Sequence, residues 1–432
     1  VTGKPDGAVP FSATDRVVGW LVSRCRDGAH MRCGALLRVT GPPPESEALR
    51  AFVAERLERA PVLAFRPDWL RAVWVPTPGF AVGDHLHRRA LTPGTDVEAA
   101  ALSVLDEPLP LDRPLWDLTV LHGYDPGEYT LCWRADHRFQ DGISQVASLE
   151  ALFGDRELAL PVRARSRPGG RPRRSALPAT GLFGPGGRVD LGVPWRRTAR
   201  WSPNEAPLTG RRTLHSFTLD AAELDATVAA TGASLNQVCL AALAGGLRAW
   251  TPQDWPGREG GLAVLLPLNL RPPDRAGALG NQAAVLRVVL PCGVEEPLER
   301  LRRVVAQTSR ARVRRQRDRN RLLAALVPYR LARAVLARYC DRRYLAMGVT
   351  TVPVQPGLAV LGAPVRRVSA LAPLPPEHRV VVTMAQYDTS VTASLLTDAG
   401  VARPARLLEC WTEAIAELRR HALAATDQRT EP

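Results

Sequence analysis

The sequence predicts an α/β (α+β) protein of two lobes, and three observations lead there. Helical and strand-like apolar periods alternate along the chain. One Pro/Gly/Arg-rich passage, from about Arg165 to Gly192, holds Arg167-Pro168-Gly169-Gly170-Arg171-Pro172 and Gly184-Pro185-Gly186-Gly187 and separates two stretches of similar length. The chain has 432 residues, 45% hydrophobic and 23% charged, a globular composition that can bury a substantial core and that excludes global disorder. The expected division is a first lobe over 1–164, a linker over 165–212 and a second lobe over 213–432.

The elements follow from local pattern. Met31 to Val39 reads as a strand, Glu47 to Ala60 as a helix with Leu49, Phe52, Val53 and Leu57 at the helical period, and Val97 to Leu105 as a second helix. Tyr129 to Phe139 alternates as a strand does, and Gly142 to Phe153 then places Ile143, Val146, Leu149 and Leu152 on one helical face. After the break come a strand over Leu214 to Leu219, a helix over Asp220 to Thr231 opened by an Asp cap, and a long apolar helix over Ser234 to Trp250 capped by Ser234. Leu262 to Pro267 and Ala284 to Leu290 are strands, Glu296 to Arg319 is one Arg-laden helix, and Val380 to Leu396 holds two more strands.

Composition narrows the function classes. The net charge is +14, but the basic surplus is almost all Arg, with Lys4 the one lysine, a pattern that fits GC-rich coding bias better than a nucleic-acid site. No zinc-finger spacing, RNA-recognition aromatic motif or basic region joined to heptads is present, so nucleic acid is not an expected partner. Seven scattered cysteines without a C-x-x-C pair read as core residues of a reducing compartment. His85 and His87 form an H-x-H with no third ligand near in sequence and read as surface histidines, so no metal is expected. No stretch approaches the roughly 18 apolar residues of a membrane span, and Val1 to Pro10 lacks signal-peptide regions; a soluble, cytoplasmic chain is expected.

The segment richest in chemistry is Trp133-Arg134-Ala135-Asp136-His137-Arg138-Phe139-Gln140-Asp141-Gly142. A histidine leaving a strand for a loop can present its imidazole to a cleft as a general base, the role expected of His137. Asp141 can pair with an Arg to hold the turn or cap the next helix, and Gly142 permits close backbone approach. Neither a G-x-S-x-G elbow nor a P-loop is present, so nothing calls for a covalent acyl-enzyme.

Further motifs follow in a fixed order. Pro110 to Asp117 includes Pro114-Leu115-Trp116; after the His137 segment come Gly232 to Ala241 with Asn236 and Gln237, then Pro267-Leu268-Asn269-Leu270-Arg271-Pro272, then Gly277-Ala278-Leu279-Gly280-Asn281. In these motifs, from about Phe11 to His421, the chain resembles the bacterial wax ester synthase/acyl-CoA:diacylglycerol acyltransferase family, within the condensation-domain and chloramphenicol acetyltransferase superfamily.

The resemblance implies two chloramphenicol-acetyltransferase-like lobes, each a mixed sheet flanked by helices, with a substrate tunnel between them. It implies transfer of an acyl group from a thioester, acyl-CoA or carrier protein, to a hydroxyl, with no cofactor beyond that co-substrate. His137 takes the place of the family base, with Asp141 and Gly142 completing the catalytic motif. Pro114, Leu115 and Trp116 match an element that shapes the substrate pocket; Asn236 and Asn281 match further site positions, and Asp136 stands where the family has its first histidine. Two more departures are Gln237, for the Asp of the N-D element, and Thr351-Val352-Pro353-Val354, for N-V-P-G. Two alternatives stay open: ester or amide formation on a specialised metabolite with a carrier-bound donor, and a binding protein that keeps the fold without catalysis.

Plainer roles stand beside these. Asn236 would satisfy local backbone, Trp116 would belong to the core, and His122, His215 and His378 have no nameable partner. The basic, partly apolar stretch from Arg300 to Arg343 suits an anionic membrane or lipid droplet, an acidic carrier protein at a tunnel mouth, or a solvated helix face over the core.

Overall fold

The computed structural model describes residues 7–25, 29–156, 196–256, 260–271 and 279–430. Two six-stranded sheets organise them. The first runs in space as Ala359–Val360, Ala363–Leu371, Arg32–Thr40, Glu128–Asp136, Trp116–His122 and Leu86–Ala90, antiparallel except for its last, parallel pair. The second runs as Ala283–Leu290, Leu262–Asn269, Met347–Val354, Val380–Tyr387, Ser390–Asp398 and Arg212–Asp220, with Met347–Val354 parallel to both neighbours. Both sheets are mixed and carry helices, as expected. A small third sheet joins Val9–Pro10, Val73–Pro76 and Phe65–Asp68.

Glu128–Asp136 lies deep in its sheet and is buried on both faces from Tyr129 onward. Leu131, Trp133 and Ala135 therefore join one apolar cluster while Cys132 joins another, as a period of two requires. In the second lobe the helix Leu235–Trp250 is buried from Val238 to Leu247. Its Gly246 admits the helix Pro404–Thr430: a Cβ there would sit 2.8 Å from the Trp411 Cα. Among the described residues no single helix is long and apolar enough to cross a membrane, and the apolar pair Ala221–Thr231 and Leu235–Trp250 is bent by 99°.

Several expectations need correction. The strand Ala363–Leu371 falls within 213–432 but pairs with Arg32–Thr40, and Val365 and Val368 pack into the first-lobe core. The second stretch thus lends a strand to the first sheet. Of the passage assigned as linker, 165–195 lies outside the described residues; beyond it Trp201 is 1% exposed within the second core, and Asn204 donates to the Ala346 carbonyl at 3.1 Å. The helix expected over Glu296 to Arg319 is two helices, Pro297–Thr308 and Arg310–Leu326. Ser309 between them has ψ 144°, outside the helical region, and Gln237 donates from another helix to the Thr308 carbonyl and hydroxyl just before the break. Trp116–His122, Met347–Val354 and the helices Ala13–Val22 and Pro404–Thr430 were not anticipated as elements.

Candidate active site

A cavity of ≈ 420 Å³ lies between the lobes. One wall comes from Arg32–Thr40, the loop after His137 and the helix Gly142–Phe153; the other comes from strands of the second sheet. Leu149, Val146, Leu265, Val285, Val352 and Val354 make much of it apolar. His137, Asp141, Gly142 and Asn281 all line it; Asp136, Asn236, Pro114, Leu115 and Trp116 do not.

His137 follows the last residue of Glu128–Asp136, and its backbone N–H still bonds the Met31 carbonyl at 3.1 Å. The main chain is therefore fixed while the ring is not: Nδ1 is buried without a hydrogen-bond partner. With Nδ1 buried, Nε2 is the nitrogen left to a substrate hydroxyl in the apolar cavity that His137 lines.

Asp141 caps the helix Gly142–Phe153, accepting from the Ser144 backbone N–H at 3.1 Å and from its hydroxyl at 3.0 Å. It also binds the Arg271 guanidinium at 2.5 Å and the Gln282 backbone N–H at 2.9 Å, both from the other lobe. Arg271 is buried, donating also to the Ser144 hydroxyl at 3.2 Å and to the Gly280 carbonyl. Burial alone would raise the Asp141 carboxyl, but Arg271 and the backbone donors outweigh it and hold it below the usual carboxylate range. Pairing with an Arg and capping both hold for Asp141. At Gly142 a Cβ would meet nothing within 4 Å, so the glycine borders open space at the cavity.

Asn281 donates from Nδ2 to the His137 carbonyl at 2.8 Å and to the Arg138 carbonyl at 3.1 Å, clamping the loop that carries the base. Its backbone N–H bonds Asp15 at 2.6 Å, and Asp15 in turn forms a capping box with Ser12 at the start of Ala13–Val22. Burial pushes the Asp15 carboxyl up, against these hydrogen bonds. Gly280 has φ +75°, and a Cβ there would lie 2.5 Å from the Asp15 carboxylate, so this junction requires glycine. Gln140 adds a bridge to Gly280. Asn281 thus positions the loop that carries the base while lining the cavity.

The remaining expected site residues lie elsewhere. Asp136 is 3% exposed, and its carboxylate takes three donors from Arg138, at 2.8, 2.8 and 2.6 Å. It serves a structural contact. Pro114, Leu115 and Trp116 are core: the Trp116 indole donates to the Leu63 carbonyl at 2.8 Å and stacks between His85 and Trp133 at 4.6 and 4.9 Å. His85 is accordingly 1% exposed and not a surface residue, its Nδ1 lying 2.7 Å from the Trp116 carbonyl. The Leu115 carbonyl accepts the Asp136 N–H at 3.0 Å, so this motif supports the end of the His137 strand from behind. Asn236 reaches the cavity only through Thr351, whose hydroxyl donates to it at 2.7 Å and which does line the wall. Asn236, a matched position, thus meets the departure at Thr351, while Gln237 completes the capping box of Leu235–Trp250. Pro272, Gly277 and Ala278 lie outside the described residues.

Sequence reasoning did not assign site roles to Asp15, Asn269, Arg317 or His378. The Ser12-to-Asp15 spacing ahead of Val17, Val18, Leu21 and Val22 is a capping-box signature that announces the helix, though not its partner across the lobes. Asn269 lines the cavity with its amide oxygen held by the Arg271 backbone N–H at 2.9 Å, which leaves the amide NH2 as donor. Arg317 lines this cavity and a neighbouring basic pocket. His378 lies on the same cavity wall.

Comparison with known proteins agrees with this geometry. The wax ester synthase/diacylglycerol acyltransferase catalytic domain matches residues 22–191, and the WS/DGAT C-terminal domain matches residues 279–419. A probable diacylglycerol O-acyltransferase of Mycobacterium tuberculosis is 25% identical over 84% of this chain and 86% of its own length. The wax ester synthase/diacylglycerol acyltransferase from Marinobacter aquaeolei VT8 superposes with a TM-score of 0.64 at 19% identity, covering 96% of this chain and 100% of that one. A starter condensation domain of rhizomide synthetase, solved with C8-CoA and Leu-SNAC, gives 0.65 at 15% identity over 97% and 95%. The chain is an acyltransferase that belongs to the wax ester synthase/diacylglycerol acyltransferase family.

Proposed function

We propose that the cavity between the lobes joins an acyl thioester to a hydroxyl, with His137 as general base. The observation that carries this is the His137 ring, free of protein hydrogen bonds, on the wall of an apolar cavity whose main chain is clamped by Met31 and Asn281. His137 takes the hydroxyl proton as the oxygen attacks the thioester carbonyl; the C–O bond forms, the C–S bond breaks, and the proton passes to the departing thiolate. Base assistance contributes roughly 10²- to 10⁴-fold, and positioning with oxyanion stabilisation the rest. For the oxyanion we assign the Asn269 amide donor, which the Arg271 main chain holds in one orientation.

The donor side is basic. The helix Arg310–Leu326 directs Arg310, Arg314, Arg317 and Arg321 to one pocket of ≈ 380 Å³, at helical spacing, and Arg317 belongs to both spaces. Guanidinium groups at this mouth suit the phosphates of coenzyme A or of a carrier-bound phosphopantetheine arm. Leu326, Tyr329 and Leu331, exposed by 65, 41 and 47%, lie beside Arg330 and support a peripheral membrane contact for a cytoplasmic enzyme. The altered wall at Thr351 and Val354 favours, as a second reading, an acceptor other than a wax alcohol or diacylglycerol.

The test is mass-spectrometric detection of products from purified protein with a panel of acyl-CoAs, fatty alcohols, diacylglycerol, polar alcohols and amines, wild type beside His137→Ala. Ester from the wild type alone is expected. Equal product from both proteins would remove His137 from the chemistry.

A further inference from the structure

The second sheet is split beside the cavity. Leu262–Asn269 pairs along its whole length with Ala283–Leu290, and Met347–Val354 pairs from Gly348 onward with Val380–Tyr387. Between these two ribbons the pairing stops after Val264 with Met347 and Leu265 with Gly348, although both strands run on. Pro267 and Asn269 on one side of the gap and Thr350 and Thr351 on the other line the cavity, Pro267 exposed and the other three half-buried.

Strand register tells which main-chain groups face the gap. The Leu270 N–H bonds the Gln282 carbonyl at 2.8 Å, and bonded pairs recur at every second residue back along this antiparallel ladder. The residues between them turn N–H and C=O the other way. Ala263 accordingly meets the Thr198 hydroxyl and the Ala346 N–H on that side, and Leu265 meets Met347–Val354. Pro267 and Asn269 come next on the same edge, facing the gap. Across it, Leu265 is level with Gly348 and bonds the residues on either side, so Met347, Val349, Thr351 and Pro353 face back.

Two prolines write this gap into the sequence. Pro267 and Pro353 both stand at gap-facing positions and have no N–H to give, so a closed ladder here would be incomplete. Carried on in register, that ladder would join the Thr351 N–H to the Pro267 carbonyl and the Asn269 N–H to the Thr351 carbonyl. Neither bond is made, and these groups have no partner among the described residues. The Thr351 hydroxyl is committed to Asn236, which leaves its main chain as the group offered. Asn269 lies opposite Ala283, two residues from the Asn281 that holds His137, so the gap opens toward the reacting centre.

We propose that this gap is a subsite for a secondary amide on an extended substrate chain, bridging the Pro267 carbonyl and the Thr351 N–H. A trans amide points its N–H and C=O in opposite directions, so one group placed between the strands donates to Pro267 and accepts from Thr351. Open strand edges take up extended chains in this way. An alkyl chain satisfies neither edge, and an ester only accepts. Two substrates carry the chemistry next to the reacting group: a pantetheine thioester, whose nearest amide is one ethylene from the sulfur, and an acceptor alcohol that bears an amide. The inference rests on the reading of this cavity as the acyl-transfer tunnel, and its test is a binding measurement so that the two fail separately.

The probes are two matched pairs: an S-alkyl pantetheine beside its analogue with esters in place of the amides, and an N-acyl amino alcohol beside the ester of the same length. Calorimetric affinities are measured for the full chain as wild type, Thr351→Pro and Thr351→Val, with residue-resolved hydrogen exchange on the wild type. In at least one pair the amide should bind about tenfold tighter than its ester, the effect of a hydrogen bond lost and a carbonyl left unpaired. The pair that shows it tells donor arm from acceptor. Saturating amide should slow exchange of the Thr351 N–H by about tenfold or more. Thr351→Pro, which removes that N–H, should weaken the amide by about tenfold, and Thr351→Val, which keeps it, should not. No preference in either pair, including no binding at all, overturns the proposal. So does unchanged Thr351 exchange under saturating amide, which decides the matter even where Thr351→Pro does not fold, and so does full amide affinity in a folded Thr351→Pro. A preference without ester formation keeps the subsite and removes the His137 assignment; ester formation without a preference does the reverse.

Discussion

Removing the carboxylate of Asp141 is the perturbation whose size the structure fixes best. The Arg271 side chain is 0% exposed and that of Asp141 5%, so Asp141→Ala leaves a buried guanidinium without its carboxylate. Breaking such a pair costs about 3–5 kcal/mol, and the lost helix cap about 1 kcal/mol more. Arg271→Met should cost about as much as Asp141→Ala, and the double variant should cost far less than their sum, because each single change already strands the partner. Urea unfolding of the four proteins measures this coupling. Effects that add within about 0.5 kcal/mol would refute the pair as the tie between the lobes. The pH dependence has a definite sign: a carboxyl held below its ordinary value stabilises the fold above the normal carboxylate range near pH 4. That contribution should fall away as pH drops through the lowered folded value, and it should be absent from Asp141→Asn.

Other outcomes follow from particular contacts. Asn281→Ala removes both hydrogen bonds to the loop carbonyls, and single-turnover kinetics should show chemistry slowed about tenfold, the loss of one or two hydrogen bonds' worth of positioning. Trp116→Ala should cost roughly 3–5 kcal/mol of stability in a denaturant titration while the acyl-length profile stays unchanged, since the indole packs in the core and not on the cavity. Arg314→Glu with Arg317→Glu should raise KM for acyl-CoA by about tenfold, most strongly at low salt, with little change in the KM of an uncharged acceptor.

What the sequence revealed was local. The helix Gly142–Phe153 was legible at both ends because Asp141 caps it and Val146, Leu149 and Leu152 keep its period. His137 was legible as a base leaving a strand. Asp136 was misplaced as a substrate contact although its partner Arg138 is only two residues away, because its family position drew the reading toward the pocket. Trp116 was misplaced for the same reason, and the strand it begins was read as a motif. Pairing between distant segments leaves no local period, so neither the crossing of Ala363–Leu371 into the first sheet nor the meeting of Asp15 with Asn281 was visible.

The most direct test of the account is the single-turnover rate of ester formation by wild type and His137→Ala, at saturating acyl-CoA and with an acceptor the wild type uses, beside the unfolding free energy of each. The account predicts at least a hundredfold slower chemistry with stability kept within about 1 kcal/mol, because the ring bonds no other part of the protein. A variant equally stable and nearly as fast as the wild type would contradict it, and the base would have to be sought elsewhere on the cavity wall.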